Sequence, residues 1–226
     1  MSTDVNFSSK PVITSDSIGR YGVPQNPLRR VFDIAVILIA SPYILLFFLI
    51  ISILIVLDSR GGVLYGQTRI GRGGRRFKAL KFRTMVLDAD QLLQRYLDES
   101  PELKAEWAAT HKLKRDPRVT RVGALLRKLS LDEMPQFWNI LIGDMSLIGP
   151  RPIVDAEIEK YGKCFELYIQ ARPGLTGLWQ VSGRSDTSYK QRVELDEYYL
   201  LNRTIKLDLQ ILLKTVYVVL GRKGAY

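Results

Sequence analysis

An apolar stretch from Val31 to Leu57, VFDIAVILIASPYILLFFLIISILIVL, constrains this chain more than any other feature. Asp33 is its one charged residue. Apolar residues fall on every face, so a helix here has no side suited to water. Roughly 27 residues at 1.5 Å each reach about 40 Å, more than a hydrocarbon core of about 30 Å requires. The stretch is too long for a signal-peptide core, and no small-residue cleavage site follows it. A buried helix of a soluble domain is also a poor reading. In a chain of 226 residues too little sequence remains to cover it. Association with a membrane is expected.

Whether the segment crosses is a separate question. Proline inside a helix removes a hydrogen bond and bends it, and Ser41-Pro42 sits near the middle. Both flanks are basic, with Arg29 and Arg30 before and Arg60, Arg69, Arg72, Arg75 and Arg76 after. Positive charge stays on the cytoplasmic side. A segment that enters, bends at Ser41-Pro42 and returns satisfies both ends; a simple kinked span is the alternative. The chain divides into a flexible tail (1–27), the membrane helix (28–58) and a domain (59–226). The tail reading rests on its Ser, Thr, Asp, Gly and Pro content.

Beyond the membrane segment, Val63 to Ile70 and Arg75 to Phe82 partly alternate apolar and polar residues around Gly71-Arg72-Gly73-Gly74, which predicts a hairpin. The glycine spacing fits neither a Walker A loop nor a dinucleotide fingerprint. Helical periodicity follows over Asp88 to His111, interrupted at Pro101, then over the end of the basic run Lys112 to Lys128, over Val193 to Leu201, and over Leu207 to Leu220. The last is too short to span a membrane and suits the core or a bilayer surface. The expected class is α+β, helix-dominated, with a small β-hairpin.

The 33 Lys and Arg against 23 Asp and Glu give a net charge of +10, which implies an anionic partner. Nucleic acid is not expected, because no aromatic residues are interleaved with the basic run as stacking platforms. Cys164 is the one cysteine and His111 the one histidine, so neither a disulfide nor an ordinary zinc site can form. Both are read as structural. A bound metal would take oxygen ligands, which favours magnesium.

The densest stretch is LRKLSLDEMPQFWNILIGDMSLIGPRP, Leu126 to Pro152. Ser130 and Glu133 fit a capping box at a helix start, an ordinary structural reading of Glu133. A helix N-terminus would also keep Asp132 ionised and attract a phosphate. Arg127 and Lys128 add charge suited to a pyrophosphate. An ionised carboxylate beside an anion site is a nucleophile toward phosphorus. The adjacent Glu133 would hold a metal or move a proton. Arg151 sits on a rigid turn between Pro150 and Pro152. Trp138 and Trp179 are read as packing residues, with anchoring at a membrane interface as the lesser alternative, and Asp208 as a charge at a helix start.

Four motifs, KFRTM (Lys81 to Met85), LRKLSLDEMPQ (Leu126 to Gln136), GDMSLIGPRP (Gly143 to Pro152) and RPGLTGLWQVSGR (Arg172 to Arg184), together with the Ser41-Pro42 segment, resemble the bacterial sugar transferase family. These are the monotopic polyprenyl-phosphate phosphoglycosyl transferases. The resemblance covers all but the tail. It implies transfer of a phosphosugar from a UDP-sugar to undecaprenyl phosphate, releasing UMP and opening the assembly of exopolysaccharide or another glycan repeat unit. In the family the residue matching Asp132 forms a covalent phosphosugar intermediate, and the one matching Glu133 is associated with Mg2+. The resemblance also implies a re-entrant helix broken at Ser41 and Pro42, and a catalytic domain on the cytoplasmic face of the bacterial inner membrane carrying amphipathic interface helices. With it, Lys81, Arg83, Arg127 and Arg151 are expected at the phosphates, and Arg172, Gln180 and Arg184 at the nucleotide-sugar. The C-terminal RKGAY resembles members that use UDP-galactose, with UDP-glucose as the alternative. Partners would be the UDP-sugar, undecaprenyl phosphate, inner-membrane lipid and downstream glycosyltransferases, with a homo-oligomer left open. Two other readings compete: a non-enzymatic, membrane-anchored basic adaptor, and a polytopic transferase without a covalent intermediate, which one long apolar segment disfavours.

Overall fold

The computed structural model describes Val23, residues 26–110, Leu113, residues 116–183 and residues 187–220. The flexible-tail reading, His111, Arg184 and the RKGAY end fall outside, apart from Val23, Asn26 and Pro27 of the tail. The apolar stretch forms one helix, α1 (Pro27–Asp58), which Asn26 caps by accepting from the Leu28 N–H. The helix runs through Ser41-Pro42 without interruption. Pro42 has no N–H for the Leu38 carbonyl, and the Ser41 hydroxyl donates to that oxygen instead, at 2.8 Å. The expected break is therefore a substituted ladder bond within a continuous helix.

Both ends of α1 are fastened to the folded body. At the start, Arg29 pairs with Asp208 at 2.5 Å, and Arg30 donates to the Ile140 and Leu141 carbonyls. One turn on, Asp33 accepts from the Ser146 hydroxyl at 2.8 Å and the Leu147 N–H at 3.0 Å. At the far end, Ile51 and Ile55 pack with Phe82 and Leu126, and Asp58 accepts from the Val122 N–H. Between these anchorages Leu38, Ile39, Tyr43, Leu45, Leu46 and Phe47 are exposed. By length and composition α1 suffices to cross a membrane.

The expected hairpin is β1 (Leu64–Ile70) against β2 (Arg76–Phe82), in register from Leu64 opposite Phe82 to Ile70 opposite Arg76. Its turn uses positive φ at Gly73 and Gly74. Then come α2 (Ala89–Glu99) and α3 (Pro101–Thr110), where Pro101 opens a second helix rather than merely ending the first. They are followed by α4 (Arg121–Lys128), α5 (Gln136–Ile142) and β3 (Ser146–Ile148). Short helices α6 (Ile158–Tyr161) and α7 (Phe165–Tyr168) lead to β4 (Gly174–Thr176), α8 (Leu178–Val181), α9 (Tyr189–Leu201) and α10 (Ile205–Leu220). α9 begins four residues before the expected start, because Ser188 and Gln191 form a capping box there.

Periodicity did not reveal the parallel pair β3–β4, whose strands have three residues each. Backbone crowding defines it: a Cβ on Gly174 would lie 2.1 Å from the Gly149 nitrogen, so only glycine lets the two segments meet. Around this pair Ile37, Ile140, Met145, Leu147, Leu167, Tyr199, Leu200 and Ile211 form the main core, joining α1 to α5, α9 and α10. Cys164 is buried among Ile70, Ile153, Tyr161 and Tyr168, and burial pushes its thiol up to about 12, as suits a structural residue. Trp179 is buried as expected, whereas Trp138 is exposed beside exposed Ile142 and does not pack.

Candidate active site

The Asp132-Glu133 pair does not open an α-helix. It lies on a 3-10 turn, Leu131–Glu133, and Ser130 makes no side-chain cap. Ser130 ends α4 in the left-handed region at φ 55°, the one described non-glycine residue with positive φ. That conformation costs an L-residue about 1–2 kcal/mol. It reverses the chain and turns both carboxylates toward the hairpin. The capping-box expectation fails because α5 starts only at Gln136, so a helix N-terminus does not set the charge of Asp132.

Neighbouring elements set it instead. β2 carries Lys81, whose Nζ donates to Glu133 at 2.7 Å and lies 3.7 Å from Asp132. α4 carries Arg127, whose Nε donates to the Thr84 hydroxyl at 3.0 Å. α4 reaches this close because Gly123 lies on the Thr84 carbonyl, where a Cβ would be 2.1 Å from the oxygen. The two carboxylates diverge in character. Burial raises the Asp132 pKa, aided by the Glu133 charge and opposed by Lys81 and Arg127. Burial pushes Glu133 up as well, but Lys81, Arg151 and Arg69 outweigh it and hold Glu133 below its ordinary value. Asp132 is thus the less tightly paired of the two and is raised above its ordinary value, while Glu133 is held ionised below its own.

Both line a cavity of about 1270 Å³. Lys81, Arg83, Arg127, Arg151 and Gln180 of the expected residues also line it. Arg83 faces inward differently from expectation: its guanidinium donates to the carbonyls of Ser59, Arg60 and Gly61, closing the end of α1. Arg172 is not brought to the cavity; its Nε donates to the Gly143 carbonyl at 2.8 Å, near Arg30 and Asp33. Ser41 and Pro42 line no part of the cavity. Asp208 serves the anchorage of Arg29 rather than the site.

Sequence reasoning missed Arg69, Trp179, Tyr189 and Arg192 as lining residues. Arg69 had a signal. Tyr65, Gln67 and Arg69 follow the two-residue strand period, all line the cavity, and Tyr65 lies opposite Lys81. The other three carry no local pattern. At the opposite side the lining is apolar, with Val36 of α1, Phe137, Leu175 and Leu212 of α10.

A carboxylate pair, a lysine between the two and arginines around them suit an anionic, phosphorylated ligand. The profile of the bacterial sugar transferase family matches residues 24–222. The chain belongs to the bacterial sugar transferase family. Among its relatives, a UDP-galactose-lipid carrier transferase of Erwinia amylovora is 49% identical over 199 residues, 88% of this chain and 42% of its own length. The exopolysaccharide production protein ExoY of Rhizobium meliloti is 44% identical over 229 residues, covering all of both chains. An undecaprenyl-phosphate galactose phosphotransferase of Salmonella typhimurium is 46% identical over 203 residues, 88% of this chain and 42% of its own. This sugar transferase thus spans about two fifths of the first and third of these and the whole length of the second.

Among the described residues no three acidic, histidine or cysteine side chains gather as a metal cage. Asp132 and Glu133 fit a magnesium ion in another way, since that ion binds through one or two carboxylates while phosphate oxygens and water complete its shell.

Proposed function

We propose that the chain transfers hexose-1-phosphate, galactose-1-phosphate in the first instance, from a UDP-sugar to undecaprenyl phosphate, opening the assembly of exopolysaccharide or another glycan repeat unit. The observation that carries the reading is the inequality within the dyad: Asp132 is raised and loosely held, while Glu133 is pinned by Lys81 at 2.7 Å. A carboxylate oxygen of Asp132 attacks the sugar-bearing phosphorus. The bond to the nucleotide phosphate breaks, and UMP leaves with the electron pair. An oxygen of undecaprenyl phosphate then attacks the same phosphorus, and the Asp132 carboxylate is released as the lipid diphospho-sugar forms. No proton need move in either step. Lys81 and Arg127 stand beside Asp132 to neutralise charge growing on the phosphoryl oxygens. Magnesium on Glu133 would add the same stabilisation when bound.

Two features support a re-entrant α1 on the cytoplasmic face of the inner membrane. Arg29, Arg30 and Asp33 at one end and Ile55 and Asp58 at the other are held by the same domain, while Leu38, Ile39, Tyr43, Leu45, Leu46 and Phe47 on the outer face between them are exposed. α10 adds exposed Leu209, Leu213, Val216 and Tyr217, a surface suited to lipid. Galactose is preferred over glucose because two of the relatives above are named for it and because of the RKGAY end. The test is UMP release by purified protein in detergent with undecaprenyl phosphate and each UDP-sugar in turn. Faster turnover of UDP-galactose is expected, stopping in excess chelator. Faster UDP-glucose turnover overturns the sugar assignment, and turnover unaffected by chelator overturns magnesium. No UMP with either sugar overturns the reaction.

A further inference from the structure

Six cationic side chains line the cavity among the described residues: Arg69, Lys81, Arg83, Arg127, Arg151 and Arg192. Four have fixed employment. Lys81 holds the dyad. Arg83 closes α1. Arg69 donates to the Pro152 carbonyl and to Gln67, with Glu157 at 3.9 Å. Arg127 donates to Thr84 in the field of Asp132 and Asp116. Arg151 and Arg192 differ. Neither forms an ion pair with a described carboxylate, and both guanidiniums lie against one buried ring, Trp179, at 5.6 and 4.7 Å from its centroid. Arg192 gives only its Nε, to Thr187 at 3.4 Å. Stacking on an aromatic face orients a guanidinium while leaving its edge donors available for a phosphate.

Arg192 has no paired carboxylate among the described residues, and Arg151 answers to Glu133 and Asp196 through the field alone, so a bound anion would stabilise both guanidiniums. Beside them, Gln180 donates its amide to the Leu175 carbonyl, while its buried Oε1 has no partner among the described residues. That oxygen accepts a hydrogen bond and does not repel a hydroxyl or an N–H. Arg151 is within the electrostatic reach of Glu133, and the ring lines the same cavity as the dyad.

We propose that Arg192, stacked on Trp179 with Arg151, binds the phosphate of the departing nucleotide. The inference rests on the transferase reading and extends it. In-line displacement puts the leaving oxygen opposite the attacking one, hence beyond the phosphorus from Asp132. Charge on the nucleotide phosphate grows as the bond breaks, where cations without a fixed counter-charge stabilise it most. Arg192 meets the nucleotide phosphate in the first step and, because the acceptor must attack opposite Asp132, the lipid phosphate at the same place in the second.

The test uses the full chain in detergent and two variants, Arg192→Gln and Arg192→Lys, with UMP as inhibitor. The loss of one charge-assisted phosphate contact raises the UMP inhibition constant and the KM for UDP-galactose about tenfold in Arg192→Gln. Arg192→Lys recovers part of that loss, the KM for undecaprenyl phosphate rises alongside in Arg192→Gln, and the melting temperature in detergent stays that of the wild type in both. An unchanged UMP constant in Arg192→Gln overturns the proposal, and so does a weakened UMP constant that comes with a lowered melting temperature and that Arg192→Lys does not relieve, which would mark a merely structural role. These outcomes require a working wild-type enzyme. A wild type that releases no UMP from UDP-galactose overturns the transferase reading itself, so the two failures are distinct.

Discussion

The start of α1 and the dyad cavity are both partly buried clusters of charge, and they differ in one respect. At the α1 anchorage Asp33, Arg29 and Arg30 each have a fixed partner, although Arg203, resting on the Tyr199 ring there, leaves its buried Nε without one among the described residues. Asp33 takes Ser146 and Leu147, Arg30 takes two carbonyls at the end of α5, and Arg29 takes Asp208, which also accepts from Tyr199. Around the dyad the partners run out. Asp132 is held only loosely, and Arg151 and Arg192 rest on a ring instead of a carboxylate. A closed cluster fixes geometry, since any ligand would have to displace a bond already made. An open one keeps charge in readiness for a substrate.

The comparison is sharpest where one oxygen changes. Asp132→Asn should lower UMP release about a thousandfold or more in a protein that still folds and extracts with detergent, because it removes the nucleophile and no fixed bond of the scaffold. Activity near the wild type would break the contrast. Lys81→Met should cost about ten- to a hundredfold in kcat. It should also let the Glu133 pKa rise, moving the acid limb of the pH–rate profile to higher pH, since Lys81 is the chief group holding that carboxylate down. An unmoved acid limb would place the Glu133 control elsewhere.

At the closed cluster the signs reverse. Asp33→Ala strands the Ser146 hydroxyl and the Leu147 N–H and should destabilise the fold by about 2–4 kcal/mol, read as a lower melting temperature in detergent. Activity per folded molecule should stay within a few-fold. A stable Asp33→Ala protein with lost chemistry would show that the anchorage belongs to the site.

A pH-dependent effect concerns Asp196, fully buried and bonded to the Tyr161 hydroxyl at 2.7 Å. Burial lifts its pKa to about 7 against the pull of Tyr161. The folded state therefore holds this proton where the unfolded chain has lost it. Its contribution to stability declines as pH rises from about 4 to about 7 and is constant above. Asp196→Asn should remove that decline, so that its melting temperature gains on the wild type between pH 5 and pH 8. Parallel melting curves across that range would refute it.

The same contrast explains what was legible. The apolar run, the hairpin and the long helices were readable because one residue type recurs at a fixed interval. The dyad and Lys81 were named through motifs, but the bond from Lys81 to Glu133 has no sequence signal. Arg172 was misplaced because the sequence RPGLTGLWQVSGR gives no sign of which of its polar residues turns inward. Its guanidinium goes to Gly143 and Gln180 goes to the cavity. Asp33 was visible as a charge out of place, yet its partners lie more than a hundred residues away. The Arg151–Trp179–Arg192 cluster joins three elements and has no local signature at all.

The most direct measurement is the intact mass of the full-length protein mixed with UDP-galactose alone, without lipid, followed by peptide mapping. The account predicts a hexose-phosphate adduct on Asp132, formed together with one UMP and discharged on adding undecaprenyl phosphate. Unmodified protein that nonetheless makes lipid-linked sugar once the acceptor is present would contradict it.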